Sequence, residues 1–472
     1  MKKPDPKSVS PGSGGEATVS LYAASKKIYP RMAQGLFTRW RWFFVFATQL
    51  FFYGMPWLQW SGRQAMLFDL EGRRFYIFGL VLYPQDVIYL AALLIISAML
   101  LFLFTAVAGR QWCGYACPQT VYTEIFLWIE HKFEGDRQAR MRLDAAPMSP
   151  NKLRRKTGKH LVWLAVALWT GFTFVGYFTP IRDLAMHVLT WTLGPWQTFW
   201  IFFYAFATWG NAGFMREQVC LYMCPYARFQ SAMFDKDTLV VTYDTARGEP
   251  RGKRGRKADP QELGLGDCID CTMCVQVCPT GIDIRDGLQY ECISCAACID
   301  ACDEVMDRMG YPRGLIRYST ERALEEGWGK REIIQRVLRP RVLIYSALLG
   351  VVILGLVASL FLRTPFKVNI VRDRATLARV LPDGKIENIY RIQVMNATEQ
   401  PREFVLNVDG LPGLELASDE KVTVEATQSL WVPVQLHLPY GDAESGSHRI
   451  YFHVKSPDIG EVSEKSVFMV PR

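Results

Sequence analysis

Five stretches of this 472-residue chain run without a single Asp, Glu, Lys or Arg: Trp42–Trp60, Val87–Ala108, Leu161–Thr179, Trp196–Met215 and Val342–Leu362. A helix that crosses a bilayer needs about 20 such residues, whereas a soluble core rarely needs one run of this length. Five in one chain argue against buried core helices and predict a polytopic α-helical membrane protein with five transmembrane helices.

The charges between the runs predict their direction. Lys26, Lys27, Arg31, Arg39 and Arg41 precede the first run. Arg137, Arg140, Arg142, Lys152, Arg154, Arg155, Lys156 and Lys159 follow the second, and Arg247, Arg251, Lys253, Arg254, Arg256 and Lys257 follow the fourth. Arg336, Arg339 and Arg341 precede the fifth. Basic residues flanking a span stay in the cytoplasm, so the N-terminus is expected inside and the C-terminus outside. The same placement assigns the net charge of +8 to anionic lipid and topology, with no nucleic-acid partner. No apolar leader precedes Trp40, so no cleavable signal peptide is expected.

These boundaries divide the chain into a disordered cytoplasmic tail (1–40), a membrane domain with four helices (41–235), a cytoplasmic linker and insert (236–335), a fifth transmembrane helix (336–363) and an outer domain (364–472). The outer domain holds no cysteine. It carries short alternating runs such as "SLWVPVQLHL", in which Leu430, Val432, Val434, Leu436 and Leu438 recur with period two. Pro433 suits an edge or a bulge. Several such strands over about 100 residues predict an immunoglobulin-like β-sandwich.

All 12 cysteines fall between Cys113 and Cys302. Clustering of this kind indicates metal or redox chemistry rather than a disulfide framework. Eight form two C-x2-C-x2-C-x3-C runs, Cys268/Cys271/Cys274/Cys278, followed by Pro279, and Cys292/Cys295/Cys298/Cys302. This is the spacing of bacterial two-cluster ferredoxins, in which the fourth cysteine of each run serves the other cluster. The expected ligands are Cys268, Cys271, Cys274 and Cys302 for one [4Fe–4S] cluster, and Cys292, Cys295, Cys298 and Cys278 for the second. Zinc sites favour two C-x2-C pairs or added histidine, which fits less well. The insert is therefore read as a ferredoxin-like α+β unit.

The other four cysteines form a duplicated C-x3-C-P: "RQWCGYACPQ" with Cys113 and Cys117, and "REQVCLYMCPY" with Cys220 and Cys224. Each follows an even-numbered span, and each has an arginine upstream, Arg110 or Arg216. Proline disfavours helix in the residue before it and opens a new helix well. Cys117 and Cys224 are thus expected at helix N-termini, where the dipole and the arginines would lower the thiol pKa. Paired thiolates suit a soft ion such as Cu(I), and they also suit a dithiol–disulfide cycle. A lone pair would be read as buried packing; the duplication argues for function.

No C-x-x-C-H, dinucleotide fingerprint or Walker A loop occurs. The histidines His131 and His160 are expected to lie plainly at the cytoplasmic interface. Electrons must reach the chain from an unidentified protein donor or from quinol.

Five spans, the duplicated C-x3-C-P, the insert from Cys268 to Cys302 and the downstream "GLIRYST" together resemble the cbb3-type cytochrome c oxidase accessory protein family, CcoG/FixG/RdxA. The resemblance covers nearly the whole chain after about residue 30. It implies a bacterial inner-membrane protein that assists assembly of the oxidase, with oxidase subunits or assembly factors as partners. It also implies a cupric reductase activity, with transient copper at or near Cys113, Cys117, Cys220 and Cys224. Two other classes fit the same residues: a quinol dehydrogenase or electron-transfer subunit, and a non-enzymatic assembly scaffold.

Overall fold

The computed structural model describes residues 27–256, 258–260, 262–373 and 378–471. Most of the expected disordered tail lies outside the described residues. Its last part is tied into the fold. Lys27 Nζ and Tyr29 Oη both donate to Asp144, and the Arg31 amide donates to the Gln276 carbonyl at 2.8 Å. The first helix, Leu36–Gly54, is capped in trans: the amides of Phe37 and Thr38 donate to the Asp300 carboxylate at 3.1 and 2.7 Å. An anion at a helix N-terminus answers its unpaired amides, so the cysteine-rich insert is fastened to this helix.

Among the described residues, three helices are long and apolar enough to cross a bilayer: Pro84–Ala108, Pro150–Val175 and Pro340–Leu362. The sequence predicts five, and the two shortfalls have local causes. Leu36–Gly54 takes in Arg39 and Arg41 but only the Trp42–Gly54 part of the expected run, whose end at Gln59–Trp60 is strand. Pro195–Gly210 has only 16 residues before the backbone widens into a π-turn at Asn211–Met215.

The segment after the first helix forms sheet. A hairpin pairs Gln59–Trp60 with Arg63–Gln64, and a three-stranded sheet joins Met66–Asp69, Arg74–Ile77 and Leu80–Leu82. This sheet packs on the C-terminal domain. Leu67, Tyr76, Val81 and Tyr83 share a buried cluster with Met395, and Trp60, Ser61 and Arg63 converge on Glu399. Buried Asp86 is matched by Arg363 at 2.8 Å and Lys367 at 2.5 Å.

The C-terminal domain has two antiparallel sheets. In one, Lys385–Asn396 lies between Phe366–Arg372 and Ser429–Pro439; in the other, Arg402–Asp409 and Gly446–Ser456 are central. Their inner faces share one core containing Phe366, Tyr390, Phe404, Leu436, Phe452 and Phe468. The alternation expected from Leu430 to Leu438 buries Val434, Leu436 and Leu438 and leaves Leu430 exposed. Pro433 pairs inward with Arg391, while outward pairing is confined to Leu436 and His437. Its missing N–H is therefore not needed for an outer partner.

In the insert, Val240–Tyr243 pairs antiparallel with Ile316–Ser319. Two helices, Met273–Gln276 and Ala297–Met309, pack across it.

Candidate redox site

The two four-cysteine runs fold as copies of one loop. Asp270 and Thr272 in the first have φ of 52° and 56°, and Ser294 and Ala296 at the same offsets in the second have 52° and 58°. Left-handed residues alternating with ordinary ones turn successive amides to one side, a concavity that suits anionic iron–sulfur groups. Cys268, Cys271, Cys274 and Cys302 line one cavity. Cys278, Cys292, Cys295 and Cys298 line another, with Cys274 at its edge. The first cavity takes three thiols from the first run and one from the second; the other takes three from the second run and two from the first. Burial pushes the Cys274, Cys292 and Cys302 thiols up to about 12, so these groups ionise readily only against metal charge. Among the described residues, no three His, Cys, Asp or Glu side chains converge tightly enough to grip a single ion. Thiols spread around two cavities fit a polyatomic cluster better than zinc.

The duplicated C-x3-C-P units also share a backbone. The Cys117 amide donates to the Trp112 carbonyl at 3.0 Å, and the Cys224 amide donates to the Val219 carbonyl at 2.8 Å. In both, the second cysteine bonds back five residues, to the residue just before the first cysteine. Cys117 and Cys224 are then extended and cap helices that begin at Pro118 and Pro225. The turn is entered by a residue of positive φ, Gly109 at 56° and Arg216 at 37°. The two arginines singled out in the sequence are therefore not equivalents; Arg216 stands where the first unit has glycine.

The Cys220 thiol lies within electrostatic range of Cys117, Cys113 and Cys224. The first pair also touches the insert. Cys113 packs in one apolar cluster with Cys295 and Cys298. A Cβ at Gly114 would come within 2.7 Å of the Ile293 carbonyl and 2.8 Å of Cys295 Cα. Arg110 is buried, donates to Gln230 Oε1 at 2.9 Å and reaches the carbonyls of Tyr290 and Cys292. The Cys113 thiol donates to the same Gln230 oxygen at 3.5 Å.

One expectation fails here. Burial pushes the Cys113 and Cys117 thiols up, outweighing Arg110 for the former and the amides of Gln119 and Thr120 for the latter. Burial and the neighbouring thiols raise Cys220 to about 12. Desolvation in an apolar turn exceeds what one dipole or one guanidinium returns.

Sequence reasoning missed an ion network beside the second turn. Glu130, almost wholly buried, meets Arg140 and Arg216 at 3.0 Å each and Lys159 at 3.4 Å. Glu134, one turn later, meets Lys159 at 2.8 Å and Lys156 at 3.0 Å. The signal was legible as two carboxylates at i, i+4 facing a helix with lysines at 156 and 159.

Residues 90–135 match the family model of a 4Fe-4S binding domain, residues 215–321 that of a 4Fe-4S dicluster domain, and residues 356–471 the IG-like fold at the C-terminus of FixG. The first match takes in Cys113 and Cys117. The chain is 42% identical over 450 residues to Protein RdxB of Cereibacter sphaeroides, covering 92% of this chain and 94% of that protein. It is 39% identical over 469 residues to the nitrogen fixation protein FixG of Rhizobium meliloti, covering 90% of each. Protein RdxA of Cereibacter sphaeroides is 42% identical over 422 residues, covering 88% of this chain and 87% of that protein. The insert is thus an iron–sulfur unit, and its chemistry is electron transfer.

Proposed function

This chain belongs to the family of FixG, RdxA and RdxB, and from that premise we propose that it is a membrane iron–sulfur oxidoreductase that reduces Cu(II) to Cu(I) for the copper site of a cbb3-type cytochrome c oxidase. The observation that carries the reading is that Cys113 packs in one apolar cluster with Cys295 and Cys298, while the Cys220 thiol lies within electrostatic range of Cys113 and Cys117. Cys268, Cys271, Cys274 and Cys302 would hold one [4Fe–4S] cluster and Cys292, Cys295, Cys298 and Cys278 the other. When bound, such clusters supply single electrons, the unit that cupric reduction needs. The protein's own thiols supply soft donors, which favour the reduced ion as it forms. Copper is here a substrate, held transiently at or near the pairs Cys113/Cys117 and Cys220/Cys224 on its way to oxidase subunits or assembly factors.

The setting would be the bacterial inner membrane, with the insert in the cytoplasm and the C-terminal domain in the periplasm. Two observations support this. Leu36–Gly54 and Pro195–Gly210 expose Phe43, Phe46, Leu50, Phe51, Trp196, Phe199, Phe202 and Phe206, a face suited to lipid. The sheet of residues 59–82 joins the C-terminal domain, while residues 27–38 join the insert.

Serine replacement of Cys113, Cys117, Cys220 and Cys224 together tests the copper site. Anaerobic stopped-flow mixing with Cu(II) should show cupric reduction lost while the visible absorbance of both clusters persists. Undiminished reduction would refute the assignment. The 4Fe-4S match over residues 90–135 favours a second reading, iron at the first pair. On that reading, Cys113→Ser and Cys117→Ser would lower iron per chain, whereas the copper reading leaves iron unchanged.

A further inference from the structure

A groove of about 640 Å3 opens between the Pro150–Val175 and Pro195–Gly210 helices. Its length is lined by Leu161, Leu164, Leu168, Phe202 and Phe206, and its end by His160. The His160 ring stacks on Phe214 at 5.7 Å and 12° and meets Trp163 edge-on at 5.1 Å. Its buried Nδ1 has no hydrogen-bond partner among the described residues. Lys156, at the same end, is already matched by Glu134 and Asp144, which leaves little charge for a phosphate. A groove with a long apolar body and a neutral hydrogen-bonding aromatic end fits a flat ring head on an isoprenoid tail.

The groove does not stop at His160. Lys156 and His160 also line a polar cavity with Arg216 and Glu217. Arg216 and Glu217 line a third cavity with Cys220, Thr280 and Ile293. Thr280 and Ile293 line the cavity of Cys278, Cys292, Cys295 and Cys298. Shared walls thus connect the lipid-facing groove to the eight-cysteine insert. The chain carries no nicotinamide or flavin fingerprint.

We infer that this groove is the electron-entry site and that its ligand is a membrane quinol, held at the ring by His160. One quinol loses two O–H protons and two electrons and leaves as quinone. The electrons would pass singly to the insert, whose eight cysteines would hold two one-electron iron–sulfur clusters. The protons pass by His160 to water at the Lys156 end of the polar cavity. The inference concerns the donor and does not depend on copper being the acceptor.

The test uses the cluster-replete protein in phosphatidylcholine nanodiscs without oxygen. Decylubiquinol, and separately the more reducing menadiol, are mixed with wild type, with His160→Phe, which keeps the ring stack, and with Leu164→Trp, which fills the groove. Either quinol should bleach the wild-type clusters, and both variants should slow bleaching by about tenfold or more, the scale of one lost hydrogen bond to a bound ligand or a blocked seat. Dithionite should bleach all three proteins equally, which shows the variants are intact. An azido-quinone photolabel should map to one of the two groove helices. The inference is overturned by wild-type clusters that neither quinol bleaches, by unchanged rates in Leu164→Trp, or by label elsewhere with phospholipid alone in the groove. Dithionite-reduced protein that still reduces Cu(II) would then leave the copper reading standing. Bleaching by quinol without cupric reduction would leave only the quinol site.

Discussion

In the first C-x3-C-P turn the residue four before the first cysteine is Gly109; in the second it is Arg216. Both hold nearly the same conformation, φ 56° and ψ −125° against φ 37° and ψ −108°. Glycine adopts this region freely and an L side chain does not. The first turn therefore needs nothing to hold its entry, and a Cβ there would meet the Leu239 carbonyl at 2.8 Å. The second keeps its entry because Arg216 is pinned from both ends, by its own Nε to the Gly213 carbonyl at 3.0 Å and by Nη2 to Glu130 at 3.0 Å. The same backbone is obtained once by removing a side chain and once by gripping one. The consequence is functional: the bare turn can press Gly114 against the insert, while the gripped one borders the cavities leading to the quinol groove.

The largest way to break this comparison is Glu130→Gln. It leaves Arg140, Lys159 and Arg216 around a neutral amide, and removing one partner of a buried ion pair costs about 3–5 kcal/mol. Thermal unfolding in detergent should fall accordingly. Alkylation of Cys220 should accelerate well before that of Cys113, because only the second turn depends on the grip; equal acceleration would contradict the comparison. Acid sharpens it. Burial opposes ionisation of Glu130, but Arg216, Lys159 and Arg140 prevail and hold its pKa to about 2 against an ordinary 4.5. The stabilisation is complete above the ordinary value and fades as pH falls toward about 2. Glu130→Gln should therefore flatten the acid limb of a stability–pH profile and leave the neutral region parallel to wild type.

The next effect belongs to the bare turn. Gly114→Val would drive a branched side chain into the backbone of Ile293 and Cys295. Overpacking costs about 1–3 kcal/mol, and here relief means lifting the turn from the insert. Cupric reduction by pre-reduced protein should slow while the cluster absorbance stays. The equivalent position in the second turn is Leu221, which already carries a side chain, so Leu221→Val should change little in the same assay.

Much of this comparison could not be read from the chain. The eight-cysteine loops were legible because their ligand spacing is a covalent distance. The C-terminal sandwich was legible because alternation with period two is the geometry of a half-buried strand. Apolar runs were legible, but a run is not yet a helix: Pro195–Gly210 yields to a π-turn where the chain must redirect Cys220. The upstream arginines invited an alignment that the backbone rejects by one position, since φ leaves no mark on residue identity when an arginine occupies a glycine's place. Nor does a sequence report desolvation, which lifts the thiols that a dipole argument would lower.

The strain at Arg216 gives the finest discrimination, through a reversal of sign. A non-glycine residue held in such a region costs about 1–3 kcal/mol. Arg216→Gly relieves that cost and forfeits the bond to Glu130, so in the wild-type background the loss prevails and the protein is weakened modestly. In the Glu130→Gln background the ion pair is already gone, and Arg216 is a largely enclosed cation with its main partner neutralised. There the same substitution removes both strain and charge and should raise stability by about 1 kcal/mol. A denaturant-melt double-mutant cycle reads the reversal directly. If Arg216→Gly destabilises equally in both backgrounds, Glu130 is not what holds the turn, and the two C-x3-C-P units owe their shared backbone to some other cause.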